Sequence, residues 1–405
     1  MRVVPQGARL PWGAPRLRRA ARTSSRGGVP NVSRETFVRF FAHPPPALAR
    51  PSPRVLSHAS LHCHLLSPIA LTRSASLSYH APMGTKEQLL RLLEENRERY
   101  VSGAAMAQAI GVSRNAVWKA VEALRAEGYA IDAVTNKGYA LSQENDLLSP
   151  QGIERFLPPG HPFAISVRKR VDSTNSEARR RAAEGAPEGT VIVAEEQTAG
   201  KGRPGKTFFS PASSGLYLSI VLRPTLAADR GQFLTCAAAV AGAQAIEQVT
   251  GKEALIKWVN DIYCDERKVA GILTEGMVDM ESGRFEHAVL GIGVNVKPPA
   301  DGFPRDIADV AGAVLDDRTG AVRCELAAAI LTRFWNLYRH VADASFYDEY
   351  RRRCFLLGQP LVVRQGPSRV RARAVDLTPD FKLVVELPDK TRRELPYGEV
   401  STRLT

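Results

Sequence analysis

The sequence has few cysteines, and their spacing does not pair them. The five cysteines stand at 63, 236, 264, 324 and 354, without a C-x-x-C pair or a histidine at metal-ligand spacing. This spacing argues against a disulfide framework and against a zinc site held by protein ligands. Cys236 lies in an alanine-rich run and is expected to be a small core residue. We therefore expect a protein of the reducing cytoplasm.

Long apolar runs are also missing. The run at 65–71 is far below the roughly 20 apolar residues that a helix needs to cross a bilayer. The 405 residues are 44% hydrophobic and 24% charged, which is typical of a globular protein with two or three domains. We expect no membrane segment.

Acidic residues and lysine are nearly absent from residues 1–82. This segment holds twelve arginines, no lysine and one acid, Glu35, so 11 of the 13 net positive charges fall within it. Its arginine, proline and serine content is similar to that of an organelle transit peptide. However, Met83 directly precedes the first regular helical pattern. We therefore expect residues 1–82 to be a disordered leader upstream of the true start, outside the fold.

Residues 84–145 have the spacing of a winged helix-turn-helix domain. The pattern predicts a helix from Lys86 to about Arg99, capped by Thr85, and a second helix after Ser102. Ser113 is the expected N-cap of a third helix, 114–127. Two short strands, 129–134 and 138–141, would form the wing.

The third helix of such a domain enters the major groove of DNA, so its solvent face should carry donors and cations. The residues that fit this role are Ser113, Arg114, Asn115 and Lys119. A helical domain that binds protein is the alternative, because residues 84–142 sum to about +1.

From residue 149 to about 355 strands alternate with helices, which predicts a mixed α/β domain. The expected strands are 165–171, 191–194, 216–222, 255–263, 268–275 and 288–296, and the longest helix is 232–249. The first strand ends in a cluster, 172–175, that can cap the helix 176–183 and offer polar groups to a ligand. Gly291 and Gly293 alternate along the last strand, so one of its faces is open to close approach.

Residues 200–207 fit the phosphate-binding pattern G-x-x-x-x-G-K-[ST]. A P-loop needs a helix directly after its Lys-Thr. Here Pro211 and Gly215 precede a strand-like run, so the loop is predicted to join two strands. Such a loop can still hold an anion. With Lys257 and Lys268 near strand ends, its cations indicate a site for a highly charged ligand such as a nucleoside triphosphate.

Taken in order, five motifs resemble those of the biotin protein ligases. They are Asp172-Ser173-Thr174-Asn175, the run 197–203, Lys257-Trp258-Val259-Asn260-Asp261, the run 268–273, and Gly293-Val294-Asn295. With the helix-turn-helix pattern, the chain is similar to the bifunctional bacterial type that ligates biotin and represses biotin synthesis genes. The resemblance covers about residues 84–405. It implies an α+β fold class: a winged helix-turn-helix, a central mixed α/β biotin/lipoate-ligase-type catalytic domain over 149–355, and an SH3-like β-barrel over 356–405.

The resemblance also implies an activity and a set of site residues. Biotin would be activated by ATP, with Mg²⁺, to biotinyl-5'-AMP and transferred to a lysine of the biotin carboxyl carrier protein of acetyl-CoA carboxylase. The implied catalytic residues are Lys257, Arg203 and Lys201. The implied biotin-binding residues are Ser173, Thr174, Asn175, Gln197, Gly200, Lys201, Gly202, Arg203 and Lys257. The implied nucleotide-binding residues are Lys201, Arg203, Asn260, Lys268 and Asn295. A DNA operator is a further implied partner, as is a second copy of the chain when biotinyl-AMP is bound.

The chain departs from the family pattern at four positions. Lys201 and Lys206 stand where arginine is usual, Phe208 where tryptophan is usual, and Val259 where proline is usual. Lysine keeps the charge but lacks the bidentate fork of arginine. These departures leave open a biotin-sensing repressor with weak or no ligase activity. The sequence is also compatible with a P-loop NTPase, or with a ligase that has no DNA function.

Overall fold

The computed structural model describes residues 83–97, 99–317, 321–365, 368–395 and 400–404. The predictions made for residues 1–82 lie outside the described residues. Within the described ranges, no helix is both long enough and apolar enough to cross a membrane.

Three helices and a two-stranded wing form the N-terminal domain. The elements are α1 (Thr85–Glu95), α2 (Gly103–Ile110), α3 (Arg114–Ala126), β1 (Ile131–Val134) and β2 (Gly138–Leu141). Ser113 caps α3 as expected, and Ser102 caps α2 in the same way, since their hydroxyls accept from the backbone N–H groups of Ala116 and Ala105 at 3.1 Å. Leucines of α1 pack against Val117 and Leu124 of α3 in the buried core.

Helix α1 differs from its prediction at both ends. It ends at Glu95 rather than at Arg99, because Asn96 leaves the helical conformation and its side-chain amide donates to Leu92 O at 2.9 Å. The chain then turns so that Val101 pairs with Tyr139 of the wing. At the other end, Gly84 occupies the N-cap position and Thr85 is the first helical residue.

A seven-stranded sheet forms the centre of the molecule, in the order β3-β4-β5-β9-β8-β7-β6. Its strands are β3 (Ala164–Arg168), β4 (Thr190–Ala194), β5 (Gly215–Leu222), β6 (Leu255–Lys257), β7 (Asp261–Cys264), β8 (Arg267–Asp279) and β9 (Arg284–Asn295). Strands β3 and β4 are parallel, and the other neighbours are antiparallel. The helices of this region are α4 (Pro150–Glu154), α5 (Thr174–Ala183), α6 (Gln232–Thr250), α7 (Arg323–Tyr338) and α8 (Tyr347–Arg353).

The two faces of this sheet carry different side chains, because neighbours along a strand point to opposite faces. On one face Ile220, Ile272 and Ile292 belong to the large core that includes α6 and α7. On the other face Val221 and Val289 form a small cluster with alanines of α5. In the middle of that second face β9 carries only Gly291 and Gly293, which have no side chains, and the candidate site lies there.

The predicted strand 255–263 was wrong in one respect: it is a hairpin of β6 and β7, with Lys257 opposite Asp261. The Trp258–Val259 peptide bond in its turn is cis. Since the indole N–H of Trp258 donates to Phe381 O at 2.8 Å, the turn is anchored to the C-terminal part of the chain.

Five antiparallel strands form the C-terminal sheet, in the order β13-β12-β11-β10-β14. They are β10 (Pro360–Gln365), β11 (Ser368–Leu377), β12 (Leu383–Glu386), β13 (Arg392–Leu395) and β14 (Val400–Leu404). Phe381 contacts the rings of Phe233, Phe346 and Tyr350 at centroid distances of 5.1 to 5.4 Å. The core is therefore continuous across residue 356.

A buried arginine joins the linker after the wing to the central domain. Arg323, the first residue of α7, is 2% exposed, and its guanidinium donates to Asp146 at 2.9 Å and to Glu195 at 2.8 Å. Lys297 Nζ lies 2.6 Å from the same Asp146 carboxylate. Two cations and two carboxylates thus compensate one another where an unpaired charge would be strongly unfavourable.

Substituting Arg323 with methionine should destabilise the protein. Arg323→Met leaves the largely buried Glu195 without its arginine partner and Asp146 with Lys297 alone, and we expect the free energy of unfolding to fall by about 3–5 kcal/mol. Urea unfolding followed by circular dichroism measures this change. Arg339→Met, at the exposed end of the same helix, is the control and should shift stability by less than about 0.5 kcal/mol. Equal midpoints for the two variants would contradict the role given to this cluster.

Candidate active site

Two glycines of β9 let other parts of the chain lie directly on the sheet. A Cβ atom on Gly291 would come within 2.0 Å of Asn175 Oδ1, and one on Gly293 within 2.6 Å of the Phe208 ring. Asn175 belongs to the first turn of α5, and Phe208 follows the glycine-rich loop. The close approach expected from the alternating glycines is confirmed, and it brings helix and loop together on one face.

A chain of hydrogen bonds links α5 to the loop. The backbone N–H of Thr174 donates to Gln197 Oε1 at 2.8 Å, and Gln197 Nε2 donates to Ser210 at 2.8 Å. Ser219, on β5 opposite Gly291, lies 2.8 Å from the Thr174 hydroxyl and donates to Asn175 Oδ1 at 2.6 Å. Ser173 and its two successors are buried. These polar groups are therefore held in fixed orientations at the base of the site.

This network also explains where α5 begins. The helix was expected from Ser176 with residues 172–175 as a cap, but it begins at Thr174, and the Ser173 side chain makes no capping hydrogen bond. Gln197 takes that role, since its carbonyl accepts from the Thr174 N–H.

The glycine-rich loop is a tight turn between strands. Lys201 pairs with Thr207 across it, Gly202 N donates to Lys206 O at 3.0 Å, and Phe208 N donates to Gly200 O at 2.9 Å. Residues 208–214 then lead into β5, and no helix forms in this described segment. The structural context of a P-loop is absent from residues 200–222, as predicted from Pro211 and Gly215.

One cross-strand row carries Lys257 on this face, and the Lys268 side chain contacts the same row. Lys257, Asp261, Gly271 and Gly293 lie opposite one another on β6, β7, β8 and β9. Lys268 Nζ lies 2.6 Å from the Asp261 carboxylate. Its Cε would be 3.6 Å from a Cβ on Gly271. Both lysines are half-buried, so they can face an anion placed over the Phe208 ring.

A buried tyrosine lies beside Lys257. Lys257 Nζ is 5.8 Å from the centroid of the Tyr263 ring, within the range of a cation–π contact. Burial raises the pKa of the Tyr263 hydroxyl above its ordinary value. Tyr263 is therefore neutral at physiological pH, and its π face, not a phenolate, is what stabilises the lysine charge.

Two residues predicted to bind nucleotide contact backbone segments in this structure. Asn260 is buried, and its side chain donates to Ile272 O at 2.9 Å. Asn295 donates to Gly312 O at 3.0 Å, and its own carbonyl accepts from Val314 N at 2.9 Å. Both amides position strands and loops around the site in this structure.

Sequence reasoning missed Ser219 and Glu275. Glu275, on β8, accepts from Asn175 Nδ2 at 2.9 Å and lies 3.4 Å from Lys201 Nζ. For Ser219 the signal in the sequence was a polar residue two positions after Tyr217 in the otherwise apolar strand β5. For Glu275 it was an acidic residue at the same alternate spacing as Gly271 and Leu273 on β8.

The predicted DNA-binding residues lie together on the exposed side of α3 and its cap. Ser113, Arg114, Asn115 and Lys119 are all exposed. Trp118, which the motif pattern did not indicate, is 52% exposed on the same helix. By contrast, Arg125 donates to Ile131 O at 2.7 Å and so connects α3 to the wing.

Comparison with known proteins gives this architecture a class. Residues 167–295 match the Biotin/lipoate A/B protein ligase family, and residues 85–140 match a helix-turn-helix (HTH) domain. The protein thus has a ligase domain of the biotin/lipoate class that follows a helix-turn-helix domain in the chain.

The similar proteins are more specific. The chain is 36% identical over 248 residues to the bifunctional ligase/repressor BirA of Bacillus subtilis (strain 168), covering 59% of this chain and 75% of that protein. It is 32% identical over 195 residues to BirA of Escherichia coli (strain K12), covering 48% of this chain and 59% of that protein. The biotin protein ligase from Aquifex aeolicus, solved in complex with biotin and ATP, superposes with a TM-score of 0.51 at 25% identity, covering 60% of this chain and 99% of that one. The chain therefore belongs to the biotin protein ligase family, with the domain set of its bifunctional ligase/repressors.

Adding a methyl group at Gly291 should damage the site without unfolding the protein. In Gly291→Ala the new Cβ would displace Asn175 from Ser219. We expect biotin-dependent exchange of pyrophosphate into ATP to fall by about tenfold or more, because a displacement near 1 Å can cost that much. The control is Gly103→Ala, whose Cβ would be 3.6 Å from Tyr139, an ordinary contact. Full exchange activity in Gly291→Ala would show that this close approach is dispensable.

Proposed function

We propose that the protein activates biotin with ATP to biotinyl-5'-AMP and transfers the biotinyl group to a lysine of the biotin carboxyl carrier protein of acetyl-CoA carboxylase. The observation that carries this proposal is one face of the central sheet. A fixed polar network at Thr174, Asn175 and Gln197 lies beside a glycine-rich loop and the row that bears Lys257. A neutral polar end and a cationic end suit a ligand that is uncharged at one end and anionic at the other.

The polar end is suited to the ring system of biotin, which has both hydrogen-bond donors and acceptors. By family resemblance, Ser173, Thr174, Asn175 and Gln197 form this end, and Gly200 and Gly202 bring the loop backbone close. Their internal hydrogen bonds preorganise the groups before ligand binds, so little orientation remains to be fixed on binding. Ser173, Thr174 and Asn175 are buried, which limits competition from water for their polar groups.

The cationic end addresses the electrostatic obstacle of the first step. A biotin carboxylate oxygen must attack the α-phosphorus of ATP, forming the acyl–phosphate bond while pyrophosphate leaves. The two reactants are both anions. In our proposal Lys257 contacts the carboxylate and the α-phosphate, while Lys201, Arg203 and Lys268 contact the nucleotide phosphates. Fixed cations at this point stabilise the developing charge.

Asn260 and Asn295 have a narrower role in this proposal. Their side-chain amides already donate to backbone carbonyls. They therefore support the nucleotide end by holding the turn after β6 and the segment at 312–314 in place.

Mg²⁺ is expected to enter with ATP. In the described ranges no group of three or more histidine, cysteine or acidic side chains is arranged to hold a metal ion. This suits a cation that is held chiefly by phosphate oxygens and water. Bound there, Mg²⁺ would neutralise phosphate charge.

The loop has a second role in the proposal. Arg203 and its neighbours would cover the mixed anhydride and keep water from it until the carrier lysine attacks the carbonyl carbon and displaces AMP. Lys201 supplies charge without the bidentate geometry of arginine, so its contact with the ligand is less directional.

In the proposal the helix-turn-helix domain places α3 in the major groove of an operator. The protein would then act as a biotin-responsive repressor. Arg114, Asn115 and Lys119 are exposed on α3 for this purpose. The Ser113 hydroxyl already caps the helix, so its contribution is to fix the helix start at the phosphate backbone. One such domain contacts one half-site of a two-fold operator, so we propose a homodimer that forms when biotinyl-AMP is bound.

The decisive experiment is biotin-dependent exchange of labelled pyrophosphate into ATP with Mg²⁺. Exchange that requires biotin would support the proposal. Biotin binding without exchange would favour a biotin-sensing repressor, and ATP hydrolysis indifferent to biotin would favour a P-loop NTPase. Either of the last two results would overturn the ligase activity proposed here.

Removing the cation at Lys257 should slow the first step. We expect Lys257→Ala to lower the exchange rate by at least about a hundredfold, as for loss of a group that stabilises transition-state charge. Lys252→Ala is the matched control, since this lysine pairs with Asp265 and Asp316 instead, and it should retain the wild-type rate. A Lys257→Ala protein that is folded and nearly as fast as wild type would contradict the assignment.

Removing a cation from α3 should weaken DNA binding and make the binding less dependent on salt. For Lys119→Ala we expect weaker binding to duplex DNA and a plot of log affinity against log salt that is shallower by about one. Fluorescence anisotropy between low and high salt measures both quantities. Lys390→Ala, in the C-terminal sheet region, is the control. If wild-type binding does not change with salt, the DNA role is wrong.

A further inference from the structure

A carboxylate at the edge of the site contacts both of the segments that surround it. Glu275 lies on β8 with its side chain 26% exposed. One of its oxygens accepts from Asn175 Nδ2 at 2.9 Å, and the other lies 3.4 Å from both Lys201 Nζ and Arg179 Nη1. Asn175 and Arg179 belong to α5, whereas Lys201 belongs to the glycine-rich loop.

The contact with Asn175 determines which way that amide points. A carboxylate only accepts hydrogen bonds, so the NH₂ group of Asn175 must face Glu275. Its carbonyl oxygen then faces Ser219, which donates to it at 2.6 Å. Ser219 in turn contacts Thr174, and Thr174 contacts Gln197. Asn175 Nδ2 also donates to Leu273 O at the longer distance of 3.4 Å, so Glu275 is the nearer of the two acceptors that orient this amide and, through it, the network.

The contact with Lys201 acts on the loop. Lys201 pairs with Thr207 at the base of the loop, so an ion pair from its side chain to β8 holds the base against the sheet. The same oxygen faces Arg179 of α5. A single carboxylate therefore ties helix and loop to one strand, and the spacing between them depends on it.

We propose that Glu275 is a positioning residue for the polar end of the site: it orients the Asn175 amide and tethers Lys201, so that helix and loop are correctly spaced before biotin binds. This inference rests on the function proposed above. Glu275 acts through its neighbours, so its loss should weaken biotin binding and leave the chemical step nearly intact once biotin is saturating.

Two substitutions separate the two contacts. Glu275→Gln keeps an acceptor for Asn175 but removes the charge that holds Lys201, and we expect the dissociation constant for biotin to rise about tenfold. Glu275→Leu removes both contacts and should raise it further, by about a hundredfold. Glu281→Gln, which removes one charge from the exposed turn of the same hairpin, should leave it unchanged. Isothermal titration of the full-length protein with biotin gives these constants directly.

Kinetics and unfolding distinguish positioning from a general structural role. In Glu275→Gln we expect a raised KM for biotin, with the KM for ATP and the maximal exchange rate within about twofold of wild type. The midpoint of thermal unfolding should stay close to wild type. A lowered midpoint with an unchanged biotin constant would overturn the inference and leave Glu275 as a stability residue.

A double-mutant cycle tests the tether. In a Lys201→Gln background, Glu275→Gln should have little further effect on biotin binding, because the pair is already broken. Fully additive effects would overturn the tether. Wild-type protein that does not bind biotin would overturn the proposed function itself, whereas wild-type binding that both Glu275 variants retain in full would overturn this inference alone.

Discussion

The buried cluster around Arg323 is the interaction on which the arrangement of the molecule depends. Its guanidinium contacts Asp146 of the linker, Glu195 at the end of β4 and the carbonyl of Gly215 at the start of β5. Glu195 is two residues before Gln197, and Gly215 begins the strand that follows the loop. A fully buried arginine tolerates little displacement, because each donor that loses its acceptor carries a large desolvation cost. Arg323 thus fixes the position of the linker and of both ends of the loop region relative to one another.

The site itself depends on the absence of side chains. Gly291 and Gly293 leave room for Asn175 and Phe208 on the sheet, and the polar network forms because those elements come that close. On one side of the glycines lie hydroxyls and amides, and on the other lie Lys257 and Lys268. The division between a neutral and a cationic end follows from which helix, loop or strand supplies each side chain, and it matches a ligand that joins an uncharged ring to an anionic nucleotide.

The glycine-rich loop shows why a motif needs its structural context. Residues 200–207 satisfy a phosphate-binding pattern, yet the pairing of Lys201 with Thr207 and the strand that follows make it a turn without a helix N-terminus. A loop of this kind can bind an anion through side-chain cations and backbone N–H groups, without the dipole of a helix. Lys201 of the loop already has a carboxylate partner in Glu275, so this one loop charge is paired before any ligand binds.

The sequence by itself determined the order of the elements, the helix-turn-helix with its two serine caps, and the loop as a strand-to-strand connection, because caps, glycines and apolar periods act over a few residues. Its motifs also indicated the family. The tertiary structure decided what those local signals do not contain: that α1 stops at Glu95 to let Val101 meet the wing, that Asn260 and Asn295 hold backbone, and that Glu275 faces both Asn175 and Lys201. These contacts join residues up to 100 positions apart, and only the packing of helices and loops on the paired strands brings them together.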